Sequence, residues 1–238
     1  MISFPIHRRF VGLTAILLLA LSSQAALAAA PTLEDSIAQR AVACIACHNI
    51  DGKRGADGYY PRIAGKPAGY LANQLINFRE GRRAYPQMIY MVDNLSDDYL
   101  HELAGYFSAL EVSYPPPPLA VSAAVAARGQ ALVQHGDAAK NIPACIACHG
   151  SALTGLAPAI PGLLGLPRDY IAAQFGAWRN GTRRAAAPDC MGKIAQQLST
   201  DDVGALAAWL SAQPVPAHAK PATSLPAPLP LDCGSVPH

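Results

Sequence analysis

The hexapeptide Ala-Cys-Ile-Ala-Cys-His occurs twice in this chain, at residues 43–48 and 144–149. Its two cysteines stand three residues apart, and the histidine directly follows the second one. On a helix, residues three and four apart share one face, so two thiols and one imidazole can reach the same partner. C-x-x-C-H is the attachment signature of c-type haem, in which the thiols form thioethers with the vinyl groups and the imidazole binds the iron. We therefore predict two covalently bound haem c groups, held by Cys44, Cys47 and His48 and by Cys145, Cys148 and His149.

Two other kinds of site use paired cysteines. A four-cysteine zinc site would join both C-x-x-C pairs, but it gives no role to His48 or His149. A redox-active disulfide inside each pair usually lies beside a strand–helix pattern, which this sequence lacks. Each motif also lies in a unit of only about 80–95 residues. A unit of this size has a small hydrophobic core, so we expect a large apolar group to complete it. Haem therefore explains more of the sequence than either alternative.

The motif belongs to a longer internal repeat. Residues 61–81 align with 161–181 at an offset of 100 without gaps, and 95–110 align with 198–213. We therefore predict two similar domains, at residues 31–113 and 119–213, separated by a stiff polyproline linker at 114–118. Residues 214–238 form a Pro/Ala-rich tail with little predicted regular structure.

Helix signals recur at matching places in both domains. No stretch shows sustained strand alternation, and residues 49–66 and 150–166 show no clear element. The predicted fold class is all-α, with a few short helices wrapped around a covalently attached haem in each domain. The predicted helix starts are the Thr32-x-x-Asp35 capping box, Pro67, Ser96, Ser122 and Ser199.

The second axial ligand of each iron is predicted from the register of the repeat. Met191, the single methionine of residues 114–238, lies seven residues before the Leu-Ser pair that opens the last helix. The same distance before the Leu-Ser pair of the first domain falls on Met88 and excludes Met91. A thioether ligand is soft, favours ferrous iron and raises the potential. The alternative is that these methionines simply fill gaps in the core.

Other repeated residues are candidates for supporting roles. A proximal histidine needs an acceptor for its second ring nitrogen, and the backbone carbonyls of Pro61 and Pro161 are the repeat-matched candidates, unless both are plain turn prolines. A further set either binds haem propionates or consists of solvated helix residues. These residues are Arg79, Arg179, Tyr70, Tyr170, Gln74 and Gln174.

The N-terminus predicts export. Arg8 and Arg9 precede an apolar run over residues 10–21, which is followed by an A-x-A cleavage site at Ala26-Leu27-Ala28. We therefore predict a signal peptide at residues 1–28, cleaved near Ala28. The alternative is an uncleaved membrane anchor. Without Arg8 and Arg9 the chain has 16 basic and 16 acidic residues, so there is no basic surface of the kind that binds nucleic acid. The predicted location is the periplasm, with membrane contact only through partners or through that anchor.

Cys190 and Cys233 lie outside the repeated motifs. Thiols of exported proteins tend to be oxidised. A disulfide between them would tie the Pro-rich tail beside Met191 and shield the second haem. The alternatives are free thiols or bonds to another chain.

The residues quoted above resemble those of the class I cytochromes c, and more narrowly those of diheme cytochromes of the c-four type. The resemblance covers about residues 32–213. It rests on the two C-x-x-C-H motifs, on the methionine before each final helix and on a Y-x-x-x-Q…F/W-R-x-G-x-R pattern at Tyr70–Arg83 and Tyr170–Arg183. It implies periplasmic electron carriers with the ligand pairs His48/Met88 and His149/Met191. Asn49, Lys66, Leu166 and the tail with Cys233 depart from the family pattern.

The predicted function is therefore one-electron transfer between redox proteins of a respiratory chain, without enzymatic activity. A diheme peroxidase-like enzyme is one alternative, but it needs an iron with an open sixth position, and both domains offer a methionine. A ligand sensor or a cytochrome subunit of a dehydrogenase complex is another. The sequence does not identify the electron donor or acceptor.

Overall fold

The computed structural model describes residues 34–48, 60–111, 121–217 and 219–237. The predicted signal peptide, Thr32, most of the loop after the first motif and the linker at 114–118 lie outside the described residues. Backbone contacts divide the chain into two compact units, one up to Gln39 and one from Arg40 onward. Among the described residues, no helix is both long and apolar enough to cross a bilayer.

The described residues are almost entirely helical in their regular structure, which confirms the predicted all-α class. The first repeat contains α1 (Ile37–His48), α2 (Ala68–Arg79), α3 (Pro86–Val92) and α4 (Asp97–Ala109). The second contains α5 (Ala123–His135), a 3₁₀ turn (Ala138–Lys140), α6 (Ile146–His149), α7 (Arg168–Arg179), α8 (Cys190–Gln197) and α9 (Thr200–Ala212). A two-residue hairpin, β1 (Gly155–Leu156) and β2 (Ile160–Pro161), follows α6.

Most predicted helix starts are confirmed by their caps. The hydroxyls of Ser96, Ser122 and Ser199 each accept a hydrogen bond from the backbone N–H three residues on. Pro67 is the N-cap residue of α2. A serine oxygen at this position satisfies one of the donors that the first turn of a helix leaves unpaired.

The predicted start of α1 is wrong. Asp35 lies before the helix, which begins at Ile37. The cap comes from Ser36, whose hydroxyl accepts a hydrogen bond from the N–H of Gln39 at 3.3 Å. The predicted box has Thr32 as its cap and Asp35 three residues on, but Ser36 is also a good capping residue and lies directly before the helix.

Two short helices were not predicted, and each carries a candidate methionine. Pro86 lies in the first turn of α3, where the missing N–H of proline costs nothing. Asp189 caps α8 by accepting a hydrogen bond from the N–H of Gly192 at 2.9 Å. At seven and eight residues these helices are too short to show a clear helical period in the sequence.

The two repeats use the same helix packing. In the first, α2 packs against α3 and α4; in the second, α7 packs against α8 and α9. Helix α5 also packs closely along α9, and Gly129 permits it, because a Cβ at this position would lie 2.4 Å from the carbonyl oxygen of Ala205. These pairings bring the methionine helix and the final helix of each repeat against one shared helix, α2 or α7.

The described residues of the tail contain no helix, and they pack on the second repeat. The N–H of Ala222 donates to the carbonyl of Gly155 at 2.9 Å, and the N–H of Ala157 donates to the carbonyl of Ala222 at 2.8 Å. The predicted disulfide between Cys190 and Cys233 is present. The tail is thus fastened to the hairpin at one point and to the start of α8 at another.

Candidate haem sites

Both motifs lie on helices, so their cysteines and histidine share a face. Cys44, Cys47 and His48 occupy the end of α1. Cys145 directly precedes α6, on which Cys148 and His149 lie. All four motif cysteines are free thiols, so neither pair forms a disulfide in this structure.

Each motif histidine is oriented by a proline carbonyl. Nδ1 of His48 lies 3.0 Å from the carbonyl oxygen of Pro61, and Nδ1 of His149 lies 2.7 Å from that of Pro161. A carbonyl oxygen can only accept, so in both cases Nδ1–H is the donor. Nε2 then keeps its lone pair and is the nitrogen available to a metal.

Burial lowers the pKa of both imidazoles. The hydrogen bond to the proline carbonyl opposes this effect in each case, while Arg83 lowers the pKa of His48 further and Lys66 lowers that of His149. Both histidines are therefore neutral near pH 7, which is the protonation state that binds a metal.

Three motif cysteines, Cys44, Cys145 and Cys148, lack the electrostatics of a redox centre. Burial raises the pKa of Cys145 to about 11 and also raises the pKa values of Cys44 and Cys148. Redox-active C-x-x-C pairs instead hold a thiolate through a lowered pKa. Within the described ranges, no group of three or more His, Cys, Asp and Glu side chains could hold a metal ion, so the motifs do not form a joint zinc cluster.

In the second repeat one apolar cavity brings together the predicted ligand residues. Cys145, Cys148, His149 and Met191 all line it. The rest of its wall is mostly hydrophobic and comes largely from the hairpin, α7, α8 and α9, with further residues from the first repeat and from the tail. Two thiols, one oriented imidazole and one thioether around an apolar space match the chemistry of a covalently held haem.

In the first repeat, Met88 and Met91 have different surroundings. Met88 is half-buried on α3 and packs against Phe78, Val92 and Leu100. Met91 is 41% exposed. Met88 therefore packs toward the interior of the first repeat, whereas Met91 is exposed.

Sequence reasoning missed the buried polar cluster between the two repeats. The backbones of the two repeats form a short antiparallel bridge between Arg83 and Arg183. The N–H of Ala84 donates to the carbonyl of Thr182, and the N–H of Arg184 donates to that of Arg82, both at 2.7 Å. The guanidinium groups of Arg83 and Arg183 are buried there. The repeated arginine of the Y-x-x-x-Q pattern was a visible signal, but the sequence does not show that its two copies meet.

The side-chain bonds of this cluster are reciprocal. Arg83 donates to Gln74 at 3.1 Å in its own repeat, and to the hydroxyl of Tyr170 at 2.9 Å and to Gln174 at 2.7 Å in the other. Arg183 donates to Gln174 at 2.9 Å, and across to Gln74 at 3.1 Å and to Tyr70 at 3.4 Å.

The sequence candidates for haem propionate contacts therefore separate into two groups. Tyr170 and Gln174 are buried in the cluster, so the solvated alternative is wrong for them. Arg79 instead bonds the carbonyl of Leu95 at 2.7 Å and pairs with Asp97, and Arg179 is exposed.

No family model matches the chain. A thiosulfate dehydrogenase electron acceptor from Thiomonas intermedia is 40% identical over 187 residues, covering 79% of this chain and 86% of the relative. A cytochrome c4 from Pseudomonas aeruginosa is 34% identical over 175 residues, covering 72% and 84%.

Solved structures give the same picture. The structure titled thiosulfate dehydrogenase from Marichromatium purpuratum matches with a TM-score of 0.65 and 34% identity, but the match covers 72% of this chain and only 36% of that one. Reduced cytochrome c4 from Pseudomonas stutzeri matches with a TM-score of 0.61 and 29% identity, covering 73% and 94%.

The resemblance found in the sequence is thereby confirmed. The protein carries covalently bound haem c and serves in electron transport, as a carrier or as a subunit of a dehydrogenase complex. The chain belongs to the diheme cytochrome c4 family.

Proposed function

We propose that the protein is a periplasmic carrier with two haem groups that accepts electrons from a dehydrogenase of the thiosulfate-oxidising type. The observation that carries the proposal is the repeated geometry of His48 on Pro61 and His149 on Pro161, at 3.0 and 2.7 Å. Each C-x-x-C-H motif has its histidine held in the tautomer that leaves Nε2 for iron. Haem c supplies one-electron transfer at its iron.

The ligand sets follow from the two repeats. Cys44 and Cys47 hold the first haem, with His48 and Met88 as axial ligands. Cys145 and Cys148 hold the second, with His149 and Met191. The shared cavity of the second set supports this arrangement directly. For the first set the support is the repeat register and the interior position of Met88.

The buried cluster offers positive charge to haem propionates. Arg183, Tyr170 and Gln174 line the cavity that also contains His149 and Met191. The hydrogen bonds from Arg183 go to amide and phenol oxygens, which are neutral acceptors. A guanidinium is best satisfied by an anion, and a propionate carboxylate reaching this wall would be one.

Thiosulfate dehydrogenase is the electron donor that the relatives support. Two of them, at 40% and 37% identity, are named as electron acceptors of that enzyme. The Marichromatium structure also supports a second candidate function, a subunit of a dehydrogenase complex. The match covers only 36% of that protein. In it, a segment similar to this chain is therefore joined to further sequence within one polypeptide.

Electron transfer is favoured over catalysis at iron. A peroxidase needs a vacant or displaceable position on one iron, and a methionine candidate for the sixth position in each repeat, Met88 and Met191, argues against one. Export to the periplasm rests on the signal sequence at residues 1–28, which lies outside the described residues.

Mass spectrometry under denaturing conditions tests the haem content and the export signal together. The mature chain should begin just after Ala28 and carry the mass of two haems. The double variants Cys44→Ala/Cys47→Ala and Cys145→Ala/Cys148→Ala should each lose one covalent haem. A single haem in the native protein, or haem extracted by acid, would refute the two-haem assignment.

Stopped-flow reduction tests the partner. The oxidised protein should be reduced rapidly by thiosulfate only when a thiosulfate dehydrogenase is present, and mixing with peroxide should give negligible turnover. Reduction at the same slow rate with and without the enzyme would contradict the donor. Rapid stoichiometric peroxide reduction would support the enzyme alternative instead.

A further inference from the structure

Lys66 is a buried cation with no role in the proposed chemistry. It belongs to the first repeat, where the carbonyl of Ile63 accepts its backbone N–H at 3.3 Å and the N–H of neighbouring Gly65 donates to the carbonyl of Phe107 at 2.9 Å. Its side chain is 3% exposed and leaves its own repeat. Nζ donates to the carbonyl oxygen of Gly162 at 2.5 Å.

That carbonyl is next to the group that orients the second axial histidine. Gly162 directly follows Pro161, whose own carbonyl accepts Nδ1–H of His149. On its other side Gly162 packs tightly, since a Cβ there would lie 2.6 Å from the carbonyl oxygen of Thr154. Lys66 therefore contacts the same backbone segment whose Pro161 carbonyl orients His149.

Lys66 also lines the cavity that contains His149 and Met191. Its positive charge acts on His149 across this space. Burial, together with neighbouring Arg62, lowers the pKa of Lys66 itself well below its usual range, so its charge is held at a cost. Charges interact more strongly in a buried site than in water because solvent screens them less.

The repeat supplies no counterpart for this contact. The residue 100 positions later is Leu166, a buried member of the second hydrophobic core. Arg83 is the cation that acts on His48 in the first repeat, and it is a member of the buried cluster with partners in both repeats. Lys66 does not belong to that cluster, and its side chain extends instead to Gly162 beside the second site.

We infer that Lys66 is a positioning residue of the first repeat that places a positive charge beside the second haem and raises its reduction potential. This inference rests on the proposed ligand set of the second haem. A nearby cation makes the additional positive charge of ferric iron less favourable, so it favours the ferrous state. The first repeat thereby tunes the redox centre of the second.

The test compares three substitutions at this position in the full-length two-haem protein. Lys66→Met removes charge and donor, Lys66→Gln keeps a donor for Gly162 without charge, and Lys66→Arg keeps both. Lys220→Met is the matched control, because it also removes one charge, from an exposed lysine paired with Glu111. Potentials are measured by spectroelectrochemistry at about pH 6, because burial lowers the pKa of Lys66 below that of an ordinary lysine and an acidic pH favours its charged form. The steps are assigned by NMR of the axial methionine methyl groups.

Lys66→Met and Lys66→Gln should raise the ratio of oxidised to reduced second haem at a fixed potential about tenfold, a fall of about 59 mV in its midpoint. The first haem, Lys66→Arg and Lys220→Met should stay at wild-type values. An unchanged second midpoint in Lys66→Gln, or an equal shift in Lys220→Met, overturns the inference. Haem mass is determined on the same samples, so a missing second haem would instead count against the proposed function.

Discussion

The two repeats present the same ligand motif in different surroundings. In the first, the methionine helix α3 also carries Tyr90, which is 85% exposed, and Met91, which is 41% exposed. In the second, the methionine helix α8 is joined to the tail through Cys190 and Cys233. Tail residues, among them Val236, line the same cavity as Met191.

This difference indicates that the ligands alone do not set the properties of each site. Haem potentials depend on burial and local dielectric as well as on axial ligands. A site closed by its own tail disfavours the charge of ferric iron more than a site next to an exposed helix. We therefore expect the second haem to have the higher midpoint potential.

The largest effect should come from removing the axial methionines. Met88→Ala should abolish the sulfur-to-iron charge-transfer band of the first haem and lower its potential, on the order of 0.2 V, because axial ligands tune haem over about 0.8 V. Met191→Ala should do the same to the second haem only. Visible spectra and redox titrations of both variants measure this directly.

Met91→Ala is the control within the first repeat. It should keep the charge-transfer band, since Met91 is exposed while Met88 packs inward. If Met91→Ala loses the band and Met88→Ala keeps it, the repeat alignment is wrong by three residues.

The disulfide should come next in size, and it should matter only to the second site. Cys190→Ser should destabilise the protein by about 2–4 kcal/mol, as expected for a cross-link of this kind. It should also increase carbon monoxide binding to the reduced second haem, because the tail is no longer fastened beside Met191. Chemical unfolding and carbon monoxide difference spectra report the two effects.

Single and double variants provide the check. Cys233→Ser and the double variant should lose as much stability as Cys190→Ser, because all three break the same bond. Additive losses, or an equal gain of carbon monoxide binding at the first haem, would contradict a local role for the tail.

Features encoded by local chemistry were predictable from the sequence. The serine caps at Ser96, Ser122 and Ser199 are decided within one helical turn, and the C-x-x-C-H motif fixes its own geometry. The hairpin at 155–161 was missed because two-residue strands show no alternation.

Contacts between the repeats could not be predicted for a different reason. Arg83 meets Arg183, and Lys66 meets Gly162, across about 100 residues of sequence. Nothing in the local pattern at either position records the partner. Tyr170 and Gln174 likewise look like surface helix residues until the first repeat covers them.

The third prediction uses the charged network around Asp202, whose place three residues after the helix cap is taken by Tyr99 in the first repeat. Burial alone would raise the pKa of Asp202, but hydrogen bonds from Arg128, Lys140 and Ser199 outweigh it and hold the pKa well below its usual range. A lowered folded-state pKa contributes stability above the unfolded value near 4, and this stability is lost as the pH falls further.

Asp202→Asn should therefore cost about 1–3 kcal/mol at neutral pH, the cost of a charged hydrogen-bond partner, and should make the loss of stability in acid shallower. Asp201→Asn, at an exposed neighbour in the same turn, is the control and should change neither. Unfolding free energies measured between pH 7 and about 3 decide it; parallel curves for wild type and Asp202→Asn would be inconsistent with this role.

The smallest effect compares two equivalent caps. Ser199 and Asp202 form a reciprocal capping box, with hydrogen bonds of 3.1 and 3.3 Å. In the first repeat Ser96 accepts from the N–H of Tyr99 at 3.3 Å, and tyrosine cannot return the bond. Ser199→Ala should therefore cost about 1–2 kcal/mol and Ser96→Ala about 0.5–1 kcal/mol. Guanidinium unfolding of both variants measures the difference, and equal losses would show that the second half of the box contributes nothing.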